Sequence, residues 1–142
     1  MTALAVLTSG GDAPGMNAAI RAITKVAASH GIPTWGVANG YDGLIDGTFR
    51  PLTRRNKVGD PAPVHEVESE GGQGGTFLGS SRSRRFYDWT ARAAAAKHLE
   101  DYSITGVVAI GGNGSMAAAQ ALQAETDVPI VGVPASIDTT SA

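Results

Sequence analysis

Two glycine-rich segments of the sequence have the residue types of phosphate-binding loops. They are residues 10–17 and 111–115, and each lies between an apolar run and a helical pattern. Glycines let backbone N–H groups approach phosphate oxygens, and the N-terminus of the following helix favours negative charge. Ser115 could cap that helix or donate to a phosphate. A sharp strand-to-helix turn is the structural alternative for both segments.

Residues 10–17 match the two ends of the G-x-x-x-x-G pattern of a P-loop, but the rest of the motif is missing. Met16 and Asn17 stand where a P-loop has Lys followed by Ser or Thr. That lysine normally reaches the terminal phosphates. The sequence therefore disfavours a Walker-type NTPase.

A third glycine-rich segment, residues 74–82, ends in arginine. Arg82 is followed closely by Arg84 and Arg85, and two serines precede it. Guanidinium groups beside glycine-rich backbone suit phosphate recognition. A solvated basic turn is equally consistent with the same residues.

One carboxylate follows the last apolar run. Asp138 comes shortly after residues 128–133, where it could accept a proton from a substrate hydroxyl or help to bind magnesium. Alternatively, Asp138 could have a structural role, in an Asx-turn or as a helix cap. The three histidines lie in unrelated contexts, so the sequence suggests neither a metal cluster nor a Ser-His-Asp set.

The composition narrows the class of protein. The chain has 142 residues, a formal net charge of −2 and no cysteine. This size predicts one domain, and the charge argues against non-specific nucleic-acid binding. The lack of cysteine excludes disulfides, thiolate zinc sites and a thiol nucleophile. The sequence has neither an apolar run of about 20 residues nor a basic leader, so we expect no membrane span and a cytoplasmic location.

Apolar runs and helical patterns alternate along most of the chain. The predicted strands cover residues 3–7, 33–38, 106–110 and 128–133, and the predicted helices run from Pro14 to Gly31 and over 84–102 and 115–125. Residues 39–75 are either loop-rich or a small antiparallel insertion, with brief strands at most at 48–52 and 64–67. The alternation predicts an α/β fold: a Rossmann-like parallel sheet with helices on both faces. In such sheets ligands bind beyond the carboxyl ends of the strands, where every glycine-rich segment falls.

Taken together, five segments closely resemble bacterial 6-phosphofructokinases, in the order and approximate spacing of that family. They are residues 7–21, 40–44, 74–82, 111–115 and 134–138. The resemblance covers essentially the whole chain. It implies the N-terminal part of the phosphofructokinase fold over residues 1–142, and transfer of the γ-phosphoryl group of ATP to the 1-hydroxyl of fructose 6-phosphate, with Mg²⁺.

The resemblance also implies roles for individual residues. The implied nucleotide contacts are Gly11, Arg82, Ser83, Gly112, Asn113, Gly114 and Ser115. Asp138 matches the general base, and Ser136 and Ile137 match the sugar-phosphate segment, where Thr is usual in place of Ser136. Arg21, Lys25 and Arg54 fall at allosteric effector positions, although Lys25 stands where Arg is common. The family further implies a homotetramer.

Several residues bear on the phosphoryl donor and the metal. Gly114 indicates ATP, because Asp at this position marks pyrophosphate users in the family, and Ala135 points the same way. Asn113 stands where the family has an Asp associated with magnesium, which puts metal binding at Asn113 in doubt. Thr139 and Thr140 replace an Asn-Asp pair, so a second carboxylate is missing.

The family's chains are about twice as long as this one. We therefore expect the C-terminal half of the fold to be absent and the isolated chain to be inactive. Two alternatives stay open. One is a non-catalytic nucleotide-binding regulatory homologue, and the other, which is weaker, is a NAD-binding domain suggested by the G-x-G-x-x-A match at residues 112–117. A NAD-kinase-like enzyme would share the glycine-rich loop at residues 111–114, but it gives no reason for the match over residues 10–21.

Overall fold

The computed structural model describes residues 2–10, 15–70, 78–81 and 84–134. The strands are β1 (Ala3–Ser9), β2 (Thr34–Val37), β3 (Phe49–Pro51), β4 (Thr53–Arg55), β5 (Pro61–Pro63), β6 (Ser80–Ser81), β7 (Ile104–Gly111) and β8 (Ile130–Pro134). The helices are α1 (Met16–Ser29), α2 (Tyr41–Asp46), α3 (His65–Glu70), α4 (Trp89–Asp101) and α5 (Asn113–Gln123). A short 3₁₀ turn covers Arg85–Tyr87.

The main sheet has the order β3-β2-β1-β7-β8, with β6 paired to β1. All of its pairs are parallel except that of β3, which runs antiparallel to β2. The predicted parallel sheet is thus confirmed apart from its β3 edge. The chain passes from β1 outward to β2 in one direction and from β7 outward to β8 in the other. The direction of winding therefore changes between β1 and β7.

Helices cover both faces of this sheet, as predicted. Leu7 of β1 belongs to one buried cluster with Leu44 of α2 and Leu99 of α4. The neighbouring Val6 belongs to a second cluster with Ile20 of α1 and Val67 of α3. Successive side chains of a strand point to opposite faces, so the uninterrupted apolar run of β1 serves both clusters.

The middle of the chain is more regular than predicted. It contains α2, the antiparallel pair β4–β5 and α3, so a small antiparallel insertion describes part of it. The brief strand predicted at 64–67 is wrong, because Val67 lies within α3 and its N–H donates to the carbonyl of Val64. The sequence did not predict α2, because this helix contains Gly43. A Cβ at position 43 would overlap the Ala38 carbonyl oxygen.

The helix predicted over 84–102 is interrupted. Asp88 has an extended backbone, and its carboxylate accepts a 3.0 Å bond from the N–H of Thr90. Asp is a favoured N-cap because it satisfies a donor of the first turn. The 3₁₀ turn therefore ends at this residue and α4 begins after it. Within the described residues, no helix has the length and apolar character needed to cross a bilayer.

Candidate functional site

The carboxyl ends of β1 and β7 meet at the point where the winding of the sheet changes direction. In the parallel register Thr8 of β1 lies opposite Ile110 of β7. Ser9 and Gly111 end the two strands, and Gly10 and Gly112 follow them. The crevice outside such a switch point is the usual ligand position in open α/β sheets. Two of the three predicted phosphate loops therefore start side by side.

The first loop joins β1 to α1. Gly10 has φ +86° and Gly15 has φ +89°, a left-handed conformation that glycine adopts without steric cost. The carbonyl of Gly15 accepts the N–H of Ala19 at 2.9 Å, which starts α1. Gly11, a predicted nucleotide contact, lies outside the described residues.

The loop after β7 is shorter than predicted. Helix α5 begins at Asn113 with Gly112 as its N-cap, two residues before the predicted start at Ser115. The predicted cap role of Ser115 is therefore wrong, because this residue lies in the first turn. The N–H groups of a first turn have no intrahelical acceptor, so the backbone of Asn113, Gly114 and Ser115 presents donors at this edge. The side chains of Asn113 and Ser115 lie outside what the structure describes.

Gly112 has no local structural reason to be glycine. Its φ is −95°, which ordinary residues adopt. A Cβ added there would meet no described atom within 4 Å. Serine would also be the better N-cap. Close approach of a ligand to the backbone is a function that glycine at this position would serve.

The described residues of the third predicted loop are attached to the same edge. Ser80 and Ser81 of β6 pair in parallel with Thr8 and Ser9. The Thr8 hydroxyl donates to the carbonyl of Gly79 at 2.9 Å. The sequence did not predict this contact. The feature that could have indicated it is a threonine at the end of an apolar strand. The predicted contacts Arg82 and Ser83 lie outside the described residues.

The other two arginines that follow this segment lie within the described residues. Arg85 donates to both carboxylate oxygens of Asp46, at 2.7 and 3.1 Å, and these bonds lower the pKa of Asp46. This pair joins the 3₁₀ turn to α2, so Arg85 has a structural partner. Arg84 is exposed.

The last strand brings Pro134, the first residue of the segment that contains Asp138, to this edge. Pro134 at the end of β8 lies opposite Gly111. The predicted residues Ser136, Ile137 and Asp138 follow along the chain and lie outside the described residues.

The described part of the chain contains no group of three or more His, Asp or Glu side chains close enough to share a metal ion. The sequence offers two residues as magnesium ligands: the side chain of Asn113 is not described, and Asp138 lies outside the described residues.

The three predicted effector residues lie in two places. Arg21 and Lys25, one turn apart on α1, both face the Glu68 carboxylate of α3, at 3.2 and 3.7 Å. Arg54 of β4 lines a cavity of about 530 Å³ at the amino ends of β1 and β2, together with Trp35 and others. Neither Arg21 nor Lys25 lines that cavity.

Comparisons with known proteins agree on one family. The family described as "Phosphofructokinase" matches residues 3–140. The ATP-dependent 6-phosphofructokinase of Thermotoga neapolitana is 46% identical over 138 residues, which are 97% of this chain and 40% of that relative. The chain thus spans about 40% of the length of the curated relatives that it matches.

Solved structures have the same fold. A phosphofructokinase from Saccharomyces cerevisiae matches with a TM-score of 0.81 and 31% identity, over 97% of this chain and 20% of that one. A pyrophosphate-dependent phosphofructokinase from Marinobacter aquaeolei matches with a TM-score of 0.73 and 18% identity, over 94% of this chain and 32% of that one. The second likeness concerns the fold alone.

Proposed function

The chain belongs to the phosphofructokinase family, and on that premise we propose that it provides the nucleotide-binding part of an ATP-dependent 6-phosphofructokinase. The reaction would transfer the γ-phosphoryl group of ATP to the 1-hydroxyl of fructose 6-phosphate in glycolysis. The observation that carries the proposal is the position of Gly10 and Gly112, side by side at the switch point of the sheet. The family resemblance predicted from five short segments is confirmed.

The geometry suits phosphoryl transfer. This chemistry depends mainly on positioning the reactants and on stabilising charge. The first turn of α5 presents backbone donors and the positive end of its helix dipole at the edge, and both favour phosphate oxygens. The proposed nucleotide contacts are those predicted from the sequence, including Gly11, Arg82 and Ser83.

Asp138 is the proposed general base. It would accept the proton of the sugar hydroxyl as that oxygen attacks the γ-phosphorus, while Ser136 and Ile137 contact the sugar phosphate. What supports these assignments is that β8 ends at Pro134 beside Gly111, and Asp138 is only four residues further along the chain.

ATP is the proposed donor in preference to pyrophosphate. The fold does not distinguish the two, since the Marinobacter aquaeolei structure is named for pyrophosphate. The support comes from Gly114 and Ala135 and from relatives named as ATP-dependent enzymes.

Mg²⁺ bound with ATP would neutralise phosphate charge in this reaction. Asn113 is the residue of this chain that could offer a carbonyl ligand. Thr139 and Thr140 supply no carboxylate, so we propose no second protein ligand for the Mg²⁺ ion.

Regulation, assembly and location are proposed on the family's pattern. Arg21, Lys25 and Arg54 would bind an anionic allosteric effector, and the complete protein would be a cytoplasmic homotetramer. Because the chain spans about 40% of the length of its relatives, we expect it to lack turnover when isolated.

Two measurements test the proposal. The 142-residue chain should bind ATP with a 1:1 stoichiometry in isothermal titration, and pyrophosphate much more weakly. In a coupled assay, the longest natural product of the gene should phosphorylate fructose 6-phosphate with ATP, and Asp138→Asn should reduce kcat by several orders of magnitude. Absence of ATP binding, or full turnover by Asp138→Asn, would overturn the proposal.

A second candidate is a nucleotide-binding regulatory homologue without catalysis. The absence of carboxylates at Asn113, Thr139 and Thr140 favours it. This candidate predicts ATP binding that does not depend on magnesium, together with no turnover in the longest natural form. Turnover gained by Asn113→Asp with Thr140→Asp would identify the groups that had been lost.

A further inference from the structure

Thr8 is a polar residue in the most buried strand of the sheet. Its relative exposure is 0%, and its hydroxyl donates to the carbonyl of Gly79, which is 71 residues away in the sequence. Burying a hydroxyl group costs free energy of folding unless the group forms hydrogen bonds. This one links the end of β1 directly to the segment that leads to Arg82.

That segment, residues 78–81, is also held by backbone bonds. Ser80 and Ser81 pair with Thr8 and Ser9 over only two residues. On the other side, the N–H of Asn39 donates to the carbonyl of Leu78 at 3.0 Å. The segment is therefore fixed between the ends of β1 and β2.

The backbone at position 79 favours glycine in this arrangement. Its φ is +80°, and a Cβ there would lie 2.6 Å from Oδ1 of Asn39. A two-residue strand contributes few ladder bonds of its own, since strands usually have three to ten residues. The hydroxyl bond of Thr8 is thus a substantial part of what aligns the segment with β1.

We propose that Thr8 is a positioning residue of the ATP site: its hydroxyl holds residues 78–81 against β1, so that this segment shares one edge with Gly10 and Gly112. Thr8 touches no substrate in this role and acts through the Gly79 carbonyl. The inference rests on the proposed function for its effect on ATP, but its structural part can be tested independently.

The test compares three variants of the 142-residue chain. Thr8→Val removes the hydroxyl and keeps the shape, whereas Thr8→Ser keeps the hydroxyl. Thr24→Val is the matched control, because Thr24 also has 0% exposure and its hydroxyl donates to a carbonyl, that of Ile20, at 2.7 Å within α1. The two valine variants should therefore show similar losses of Tm.

The first readout is ATP affinity. We expect Thr8→Val to weaken ATP binding about tenfold, equivalent to the net value of roughly one hydrogen bond, and Thr8→Ser to restore most of it. Thr24→Val should bind ATP like the wild type. Equal affinities in the two valine variants would overturn the inference.

The second readout does not need ATP. Amide hydrogen exchange at Ser80 and Ser81 should accelerate in Thr8→Val and stay at the wild-type rate in Thr24→Val. Unchanged exchange in Thr8→Val would show that the hydroxyl does not hold the segment. If the wild-type chain fails to bind ATP, the proposed function fails, and the exchange rates still decide whether Thr8 has this positioning role.

Discussion

Thr8 and Ile110 lie directly opposite each other in the parallel pair of β1 and β7, one residue before either strand ends. Because the two strands end at the same register position, the chain leaves the sheet at Gly10 and at Gly112 side by side. One register thus brings together two loops that are about a hundred residues apart. The first prediction follows from this arrangement.

Gly112→Ser should separate folding from nucleotide binding. Serine is a better N-cap than glycine, and both the φ at this position and the free space around it tolerate a side chain. We expect a free energy of unfolding that is unchanged or higher by a few tenths of a kcal/mol, with ATP binding reduced at least tenfold. Thermal melts and isothermal titration check the two halves. A variant that binds ATP as the wild type does would show that Gly112 does not face the nucleotide.

Gly132→Ala should disturb the contact between β8 and α5. A Cβ at Gly132 would overlap the Sδ atom of Met116, which lies in α5. Overpacking costs about 1–3 kcal/mol in a closely packed core. Because Gly132 is exposed and the Met116 side chain is flexible and only partly buried, that side chain can move aside, so the free energy of unfolding should fall by less than about 1 kcal/mol in denaturant titrations.

Met116→Ala is the control for this overlap. In the double variant the overlap is gone, so the loss caused by Gly132→Ala should largely disappear when it is measured against Met116→Ala alone. Strict additivity of the two substitutions would show that they do not act through this contact.

Acid should destabilise the fold through carboxylates that are hydrogen-bonded in the native state. Bonds from Arg85 lower the pKa of Asp46, and bonds from the backbone and hydroxyl of Thr90 lower the pKa of Asp88. A carboxyl whose folded pKa is below its unfolded value binds fewer protons when folded. Its contribution is therefore present above the ordinary value near 4 and is lost as the pH falls through the folded pKa.

We accordingly expect a nearly constant Tm from pH 7 to about pH 5, and a decline below about pH 4. Arg85→Gln should lower the Tm at pH 7 and reduce the size of the acid decline, because Asp46 then titrates closer to its unfolded value. Melts of both proteins across this range provide the measurement. The same acid decline in Arg85→Gln as in the wild type would contradict this account of Asp46.

Glu68→Gln tests the two predicted effector residues on α1. Glu68 is the anionic partner of both Arg21 and Lys25, at about half exposure, where such ion pairs contribute about 0.2–1 kcal/mol. Removing its charge should strengthen binding of inorganic phosphate at these two cations about two- to fivefold. Phosphate titration at low salt measures the change. Glu66→Gln is the control, because Glu66 also lies on α3 but pairs with Arg50 of β3.

The sequence by itself determined the α/β class, the family and most of the elements. Apolar runs closed by glycine, such as that before Gly10, mark buried parallel strands whatever lies next to them. The five segments that carried the family resemblance are local patterns, so no long-range contact was needed to read them. Two element boundaries differed from the prediction, because the cap at Asp88 and the start of α5 at Asn113 depend on a few local hydrogen bonds.

Only the tertiary structure decided which residues meet. The register of β1 and β7 places Gly10 beside Gly112, the two-residue strand β6 joins β1, and the Thr8 hydroxyl finds the Gly79 carbonyl. Strand order and register depend on how both faces of the sheet are buried, which no short window of sequence contains. Sequence patterns therefore identified the loops, whereas the packing of helices on both faces determined that they share one edge.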